Sequence, residues 1–136
     1  LPDIAAAAKN AVDSGADGIT VVNTVPGLVV DLEHRKPALG FGHGGVSGSA
    51  ILPIGVLAVC RVSRAVNVLV IGLGGVARGT DALQYIMAGA SLVGVGTAAL
   101  RDPRAPARIV AEMGEWCAAH GVRSVSEIRG TLQWPQ

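Results

Sequence analysis

Two glycine-bearing stretches carry the residue types that hold a phosphate. Residues 68–82, VLVIGLGGVARGTDA, run from branched apolar residues into Gly72-Leu73-Gly74-Gly75-Val76-Ala77. Gly72, Gly74 and Ala77 match the G-x-G-x-x-G/A fingerprint of dinucleotide-binding folds, whose glycines let the backbone approach a pyrophosphate. Such folds also place Asp or Glu about 20 residues further on, at the end of the next strand, to hold the ribose hydroxyls. Here that strand ends Val95-Gly96-Thr97 without a carboxylate, and Asp81 falls too early, in a helix start. The dinucleotide reading fails at its most informative position.

The second stretch, GVGTA at 94–98, repeats the arrangement one unit later. Gly74 and Gly75, then Gly96 and Thr97, offer backbone N–H groups and one hydroxyl at two consecutive strand-to-helix turns. A (β/α)8 barrel builds a phosphate site in this way, in the loops after its last two strands. The other chemistry-bearing residues make no comparable pattern. Cys60 and Cys117 lack C-x-x-C spacing and fall on helices in apolar patterns, as small core residues of a reduced, cytoplasmic protein do. His34 and His43 read as solvated loop residues, and His120 sits at a helix end, where imidazole complements the dipole. The run RDPRAPAR reads as a solvated helix start, and no metal site is expected.

The elements that must position these turns alternate. Residues 3–15 are predicted as an alanine-rich helix capped by Asp3 and closed by Gly15, followed by a strand over 18–23. A long connection carries VPGLVVDLEHRKPALGFGHGGVSG, and connections of that length are usually functional or hold small elements of their own. A helix over about Ser49–Val66, with Ser49 as a possible cap, leads to the strand VLVIG. A helix over Thr80–Ala88 stopped by Gly89, the strand SLVGVG, a helix over about Pro106–His120 and a short turn at SVSEIRG complete the chain. Such alternation of short apolar strands with helices implies a parallel α/β sheet.

Composition excludes several classes. Half of the 136 residues are hydrophobic, 15% are charged, 3% are aromatic, and the formal net charge is +1. There is no Lys/Arg cluster to neutralise a nucleic-acid backbone and few rings on which bases could stack. The stretch from 37 to 60 has no charged residue, but GFGHGGVSG interrupts it and leaves too short an apolar run to span a bilayer. A soluble, cytoplasmic protein is expected, with residues 1–136 forming one partial domain. Three clear strands cannot close a barrel, and the mean hydropathy of +0.48 suits a piece of a larger core.

Taken in order, ADGITVVNT, RKPALGFGHGGVSG, VIGLGGV, AGASLVGVGTA and SVSEIRG resemble the class 1 dihydroorotate dehydrogenases, with GGVSG closest to the NAD-linked branch. The resemblance implies the C-terminal part of a TIM (β/α)8 barrel, about three βα units plus a leading helix. It implies FMN as cofactor and oxidation of dihydroorotate to orotate in pyrimidine biosynthesis. Asn23 and Thr24 would bind the pyrimidine's carboxylate or ring amide, since Asn offers donor and acceptor on one planar group. Val22, through its main chain, and Gly48 would contact the flavin; Gly74, Gly75, Gly96 and Thr97 would hold its phosphate and ribityl region. The family's flavin-contacting lysine and its catalytic Cys or Ser belong to upstream segments, so no catalytic residue is assigned here and the chain alone is expected to be inactive. A homodimer is implied, with an FAD/iron–sulfur partner subunit in the NAD-linked branch. Two other readings stay open: a dihydropyrimidine dehydrogenase-like FMN barrel, and a non-catalytic half-barrel that binds phosphate.

Overall fold

Asp3 caps the first helix as the sequence predicts: its carboxylate accepts from the Ala6 N–H at 3.0 Å and starts helix α1 (Ile4–Asp13). The computed structural model describes residues 3–134. Strand β1 (Gly18–Val21) follows, shorter than the predicted 18–23, because its residue-by-residue pairing ends with Val21 opposite Gly72. The long connection is not a structureless loop. It folds into two small antiparallel ribbons, one pairing β2 (Val25–Gly27) with β5 (Gly44–Val46), the other pairing β3 (Val30–Asp31) with β4 (Lys36–Pro37). Inside the second ribbon, Asp31 binds the His34 ring at 2.8 Å in an exposed turn, the solvated setting predicted for that histidine.

Helix α2 (Leu52–Ser63) starts later than expected because Ser49–Ile51 form a 3-10 turn ahead of it. Ser49 makes no side-chain capping bond, which corrects its predicted role; the residue before the turn is Gly48, at φ +92°. Strand β6 (Leu69–Leu73) and helix α3 (Gly79–Ala88), closed by left-handed Gly89, lie within a residue of their predicted limits. Strand β7 (Leu92–Gly94) is short, and a one-turn helix absent from the predicted order, α4 (Thr97–Arg101), follows it. Helix α5 (Ala105–Ala119) and a 3-10 turn at Val125–Glu127 end the fold.

β1, β6 and β7 form one parallel sheet in the order β1-β6-β7, with Val21 opposite Gly72 and Leu73 opposite Gly94. One face is covered. Val70 and Gly72 of β6 point into a core that also holds Val59, Val62, Tyr85 and Ile109 from the helices. The alternate residues point the other way, and Leu69 and Leu92 are each 58% exposed. A doubly wound sheet is buried on both faces, whereas in a (β/α)8 barrel the helices lie on one face only. The α/β architecture seen here, helices on one face of three parallel strands, is consistent with the barrel expectation.

Tyr85, the single tyrosine of the chain, is fully buried where α2, α3 and β6 meet. A Cβ at Gly55 or Gly72 would overlap its ring, so those glycines form the socket that the ring fills. Its hydroxyl donates to the Gly74 carbonyl at 2.8 Å, the bond a buried phenol needs. Burial pushes its phenol from the ordinary 10 up to about 12. A raised acid stabilises the fold fully below pH 10, and that contribution is lost as pH rises through about 12. The tyrosinate absorbance of the folded protein should therefore rise with a midpoint near 12; a midpoint near 10 would show an exposed ring. Tyr85→Phe should lower stability by about 1 kcal/mol in denaturant titration, because the Gly74 carbonyl loses its donor.

Candidate functional site

The site is built from three strand ends. Beyond β1, the Val22 N–H donates to the Leu73 carbonyl at 2.9 Å, which ties this turn to the end of β6. Asn23 turns its Oδ1 back to accept from the Thr24 N–H at 2.8 Å. With the oxygen so occupied, Asn23 has its amide N–H2 donors left for a ligand. Thr24 lies flat over Gly45, where a Cβ would collide with its hydroxyl and its methyl. The ribbon β2–β5 therefore packs against the turn and sets the height of Asn23 and Thr24.

The loop from β6 to α3 is the most firmly held part of the site. Gly74 and Gly75 adopt φ +125° and +75°, conformations that glycine enters without steric cost. A Cβ on Gly75 would sit 2.6 Å from the Leu52 nitrogen, so the loop rests directly on the start of α2. Further on, the buried Asp81 carboxylate accepts from the Ala77 N–H at 3.0 Å and the Arg78 N–H at 2.9 Å. Asp81 is thus spent on holding its own loop, the structural reason it cannot serve a ribose. From α5, Arg108 donates to the Ala77 carbonyl at 3.0 Å and Glu112 accepts from the Gly79 N–H at 2.6 Å, while the two side chains pair at 2.6 Å. The Gly79 N–H above all, and then Arg108, hold the Glu112 carboxyl below the usual carboxylate range.

These turns enclose a cavity of about 320 Å³. Its lining includes every predicted site residue: Val22, Asn23 and Thr24 beyond β1; Gly48; Gly74 and Gly75; Gly96 and Thr97. The volume lies at the lower end of small-molecule sites (~300–1,000 Å³), suited to part of a nucleotide-sized ligand. Sequence reasoning missed Ser47 and Arg101, which also line it. Both Arg101 and Arg108 are exposed, as the solvated reading of RDPRAPAR expects, but that reading missed that Arg101 also lines the cavity and that Arg108 bonds to the site's own loop. Asp102 and Arg104 keep the predicted solvated character, paired to each other at 3.1 Å in the exposed stretch.

The chemistry of the lining is one-sided. Arg101 is its one ionisable residue, and neither a carboxylate nor an imidazole faces the cavity. The N–H groups of Gly75, Gly96 and Thr97 donate to no acceptor among the described residues. Unpaired donors and a guanidinium with no acid beside them favour an anion. A larger cleft of about 670 Å³ between α1, β1 and α2 shares Val22, Asn23 and Thr24 with this cavity and is otherwise lined mainly by Ala, Val, Ile and Leu, with Arg61 as its one charged residue. Cys60 is buried in α2 and Cys117 half-buried in α5, both remote from the cavity lining. No helix among the described residues is long and apolar enough to cross a membrane.

The sequence model of the family described as "Dihydroorotate dehydrogenase" matches residues 1–116. The chain is 44% identical over 133 residues to the "Dihydroorotate dehydrogenase B (NAD(+)), catalytic subunit" of Geobacter sp. strain M21, covering 98% of this chain and 44% of that protein. It is 46% identical over 127 residues to a Solibacter usitatus protein provisionally named dihydroorotate dehydrogenase A (fumarate), covering 93% of this chain and 42% of the relative. A crystal structure of DHODH from Eimeria tenella in complex with ferulenol superposes with a TM-score of 0.75 at 28% identity, covering 94% of this chain and 34% of the other. The chain thus spans less than half the length of these relatives.

Two outcomes follow from the geometry of the β6–α3 loop. Gly75→Ala combines a left-handed φ with a clash on backbone, and should cost more than about 1 kcal/mol of stability; an unchanged denaturation midpoint would disprove the close approach. A depressed Glu112 stabilises the fold above pH 4.5, and this is lost as pH falls through its lowered value. Glu112→Gln should therefore flatten the acid limb of melting temperature against pH and speed hydrogen exchange at Gly79. Identical acid limbs would show that the bond contributes nothing.

Proposed function

The chain belongs to the dihydroorotate dehydrogenase family, and on that premise we propose that its cavity is the phosphate and substrate end of an FMN-dependent barrel oxidising dihydroorotate to orotate in UMP biosynthesis. The observation that carries the reading is the lining itself. Free backbone N–H groups, small residues and one guanidinium meet at the C-terminal ends of three neighbouring parallel strands, where α/β enzymes bind ligands. In this reading residues 1–136 are the C-terminal portion of a (β/α)8 barrel, with β6 and β7 as its last two strands.

The residues present fit FMN. At Gly48 and Gly96 a Cβ would meet nothing within 4 Å, so the cavity comes close to bare backbone there, and no acid repels a phosphate monoester. Gly74, Gly75, Gly96 and Thr97 would hold the phosphate and ribityl chain, while Val22 and Gly48 would flank the ring. FMN, when bound, supplies the two-electron acceptor. Asn23 points donors at a substrate carboxylate or carbonyl oxygen, and the Thr24 hydroxyl adds a second polar contact. No lining residue is a competent base, since Ser47, Ser49, Thr24 and Thr97 have no imidazole, carboxylate or amine among their lining neighbours. The base is assigned to the remainder of the barrel that the relatives possess, and the 136-residue chain is inferred to be inactive alone. The GGVSG motif and the name of the Geobacter relative support the reading of an NAD-linked catalytic subunit; the reading further takes it as cytoplasmic, homodimeric and joined to an FAD/iron–sulfur subunit.

The test uses the chain joined to the barrel segment that precedes the matching region in its relatives, assayed for bound FMN and for orotate formation. Flavin-coloured protein that forms orotate supports the proposal, and colourless protein without turnover sinks it. In the active protein Asn23→Ala should raise KM for dihydroorotate about 10- to 100-fold, the worth of a hydrogen bond to a charged group, while FMN content stays constant. The isolated chain should show no turnover; orotate formation by it would overturn the assignment of the base to the rest of the barrel.

A further inference from the structure

The cavity holds a single charged side chain, and its neighbours leave that charge uncompensated. Arg101 closes α4, four residues after Thr97, so both lie on one face of that helical turn and both line the cavity. Its sequence neighbour Asp102 is occupied elsewhere: its Oδ1 accepts from the Arg104 N–H and from Arg104 Nε, each at 3.1 Å. Arg108 is committed to Glu112 and to the Ala77 carbonyl. Arg101 itself makes no ion pair and no side-chain hydrogen bond among the described residues, although it lines the same cavity as Gly96 and Thr97, whose N–H groups are unpaired.

We propose that Arg101 is a phosphate-selecting residue: it lays its guanidinium fork against the phosphate monoester held by the two glycine turns, and so makes the chain prefer a phosphorylated flavin to an unphosphorylated one. This rests on the FMN reading and deepens it. The planar fork presents parallel N–H donors that match two phosphate oxygens, a geometry an ammonium cannot reproduce. The backbone donors fix where the phosphate sits; Arg101 supplies charge that a ligand without phosphate has no group to use. Because Arg101 is exposed, its pull is modest and screened by salt.

The experiment measures binding of FMN, riboflavin and inorganic phosphate to the 136-residue chain and its variants by fluorescence and calorimetry, at low and high salt. Arg101→Gln should weaken FMN about tenfold and leave riboflavin unchanged, with phosphate affinity falling alongside FMN. Arg101→Lys should recover part of the loss, and high salt should shrink the difference between wild type and Arg101→Gln. Equal effects on FMN and riboflavin, or none on either, overturn the assignment while FMN binding by the wild type leaves the site reading standing. A wild-type chain that takes phosphate but not FMN sinks the FMN reading, and Arg101 is then judged by the phosphate arm. A wild type that binds neither overturns both.

Discussion

Side chains in α3 and α5 clamp the loop between β6 and α3, and the site depends on that clamp. Five backbone groups within six residues are bound by side chains: the Gly74 carbonyl by Tyr85, the Ala77 and Arg78 N–H groups by Asp81, the Ala77 carbonyl by Arg108 and the Gly79 N–H by Glu112. Each of these bonds takes up a polar group that a glycine-rich loop otherwise leaves to water. What remains unbound, the Gly75 N–H above all, is thereby aimed in one direction. Tyr85 links this clamp to the core, because the ring that reaches Gly74 is itself seated between glycines of α2 and β6. Packing and site geometry are here one arrangement.

The same logic explains why the two halves of the anion site differ. The β6 turn is rigid and partly buried, and it presents backbone alone. The β7 turn is open: Gly96 and Thr97 are exposed, and the short helix after them carries a flexible cation to the rim. A rigid cradle sets position, and a mobile charge at its edge adds attraction without demanding the same accuracy. Asn23 and Thr24 complete the ring from β1, held by the Leu73 carbonyl and by the ribbon that buttresses Thr24 at Gly45.

Much of this was legible residue by residue. The missing acid after β7 argued against a dinucleotide fold, and the structure agrees in turning Asp81 to its own loop. The resemblance to dihydroorotate dehydrogenases named eight residues that the fold brings to one cavity. Other features were hidden for identifiable reasons. The ribbons β2–β5 and β3–β4 pair through only two or three residues each, too few to impose an alternating pattern. Ser49 has the chemistry of a cap, but the 3-10 turn after Gly48 puts the helix start elsewhere.

Local chemistry by itself determined the order of the main helices and strands and the glycine turns that admit a phosphate, because periodicity and φ preference act over a few residues, and the resemblance of the motifs pointed to the family. Tertiary structure alone decided which charges matter. RDPRAPAR carries three arginines that are equivalent as sequence, yet Arg101 faces the cavity, Arg104 pairs with Asp102 in solvent, and Arg108 grips the loop after β6. The separation arises because α4 ends after one turn and α5 starts in a new direction, so residues three and four apart in sequence face different surroundings. An arginine's role depends on the groups within reach of its fork, and that neighbourhood exists only once the chain has folded.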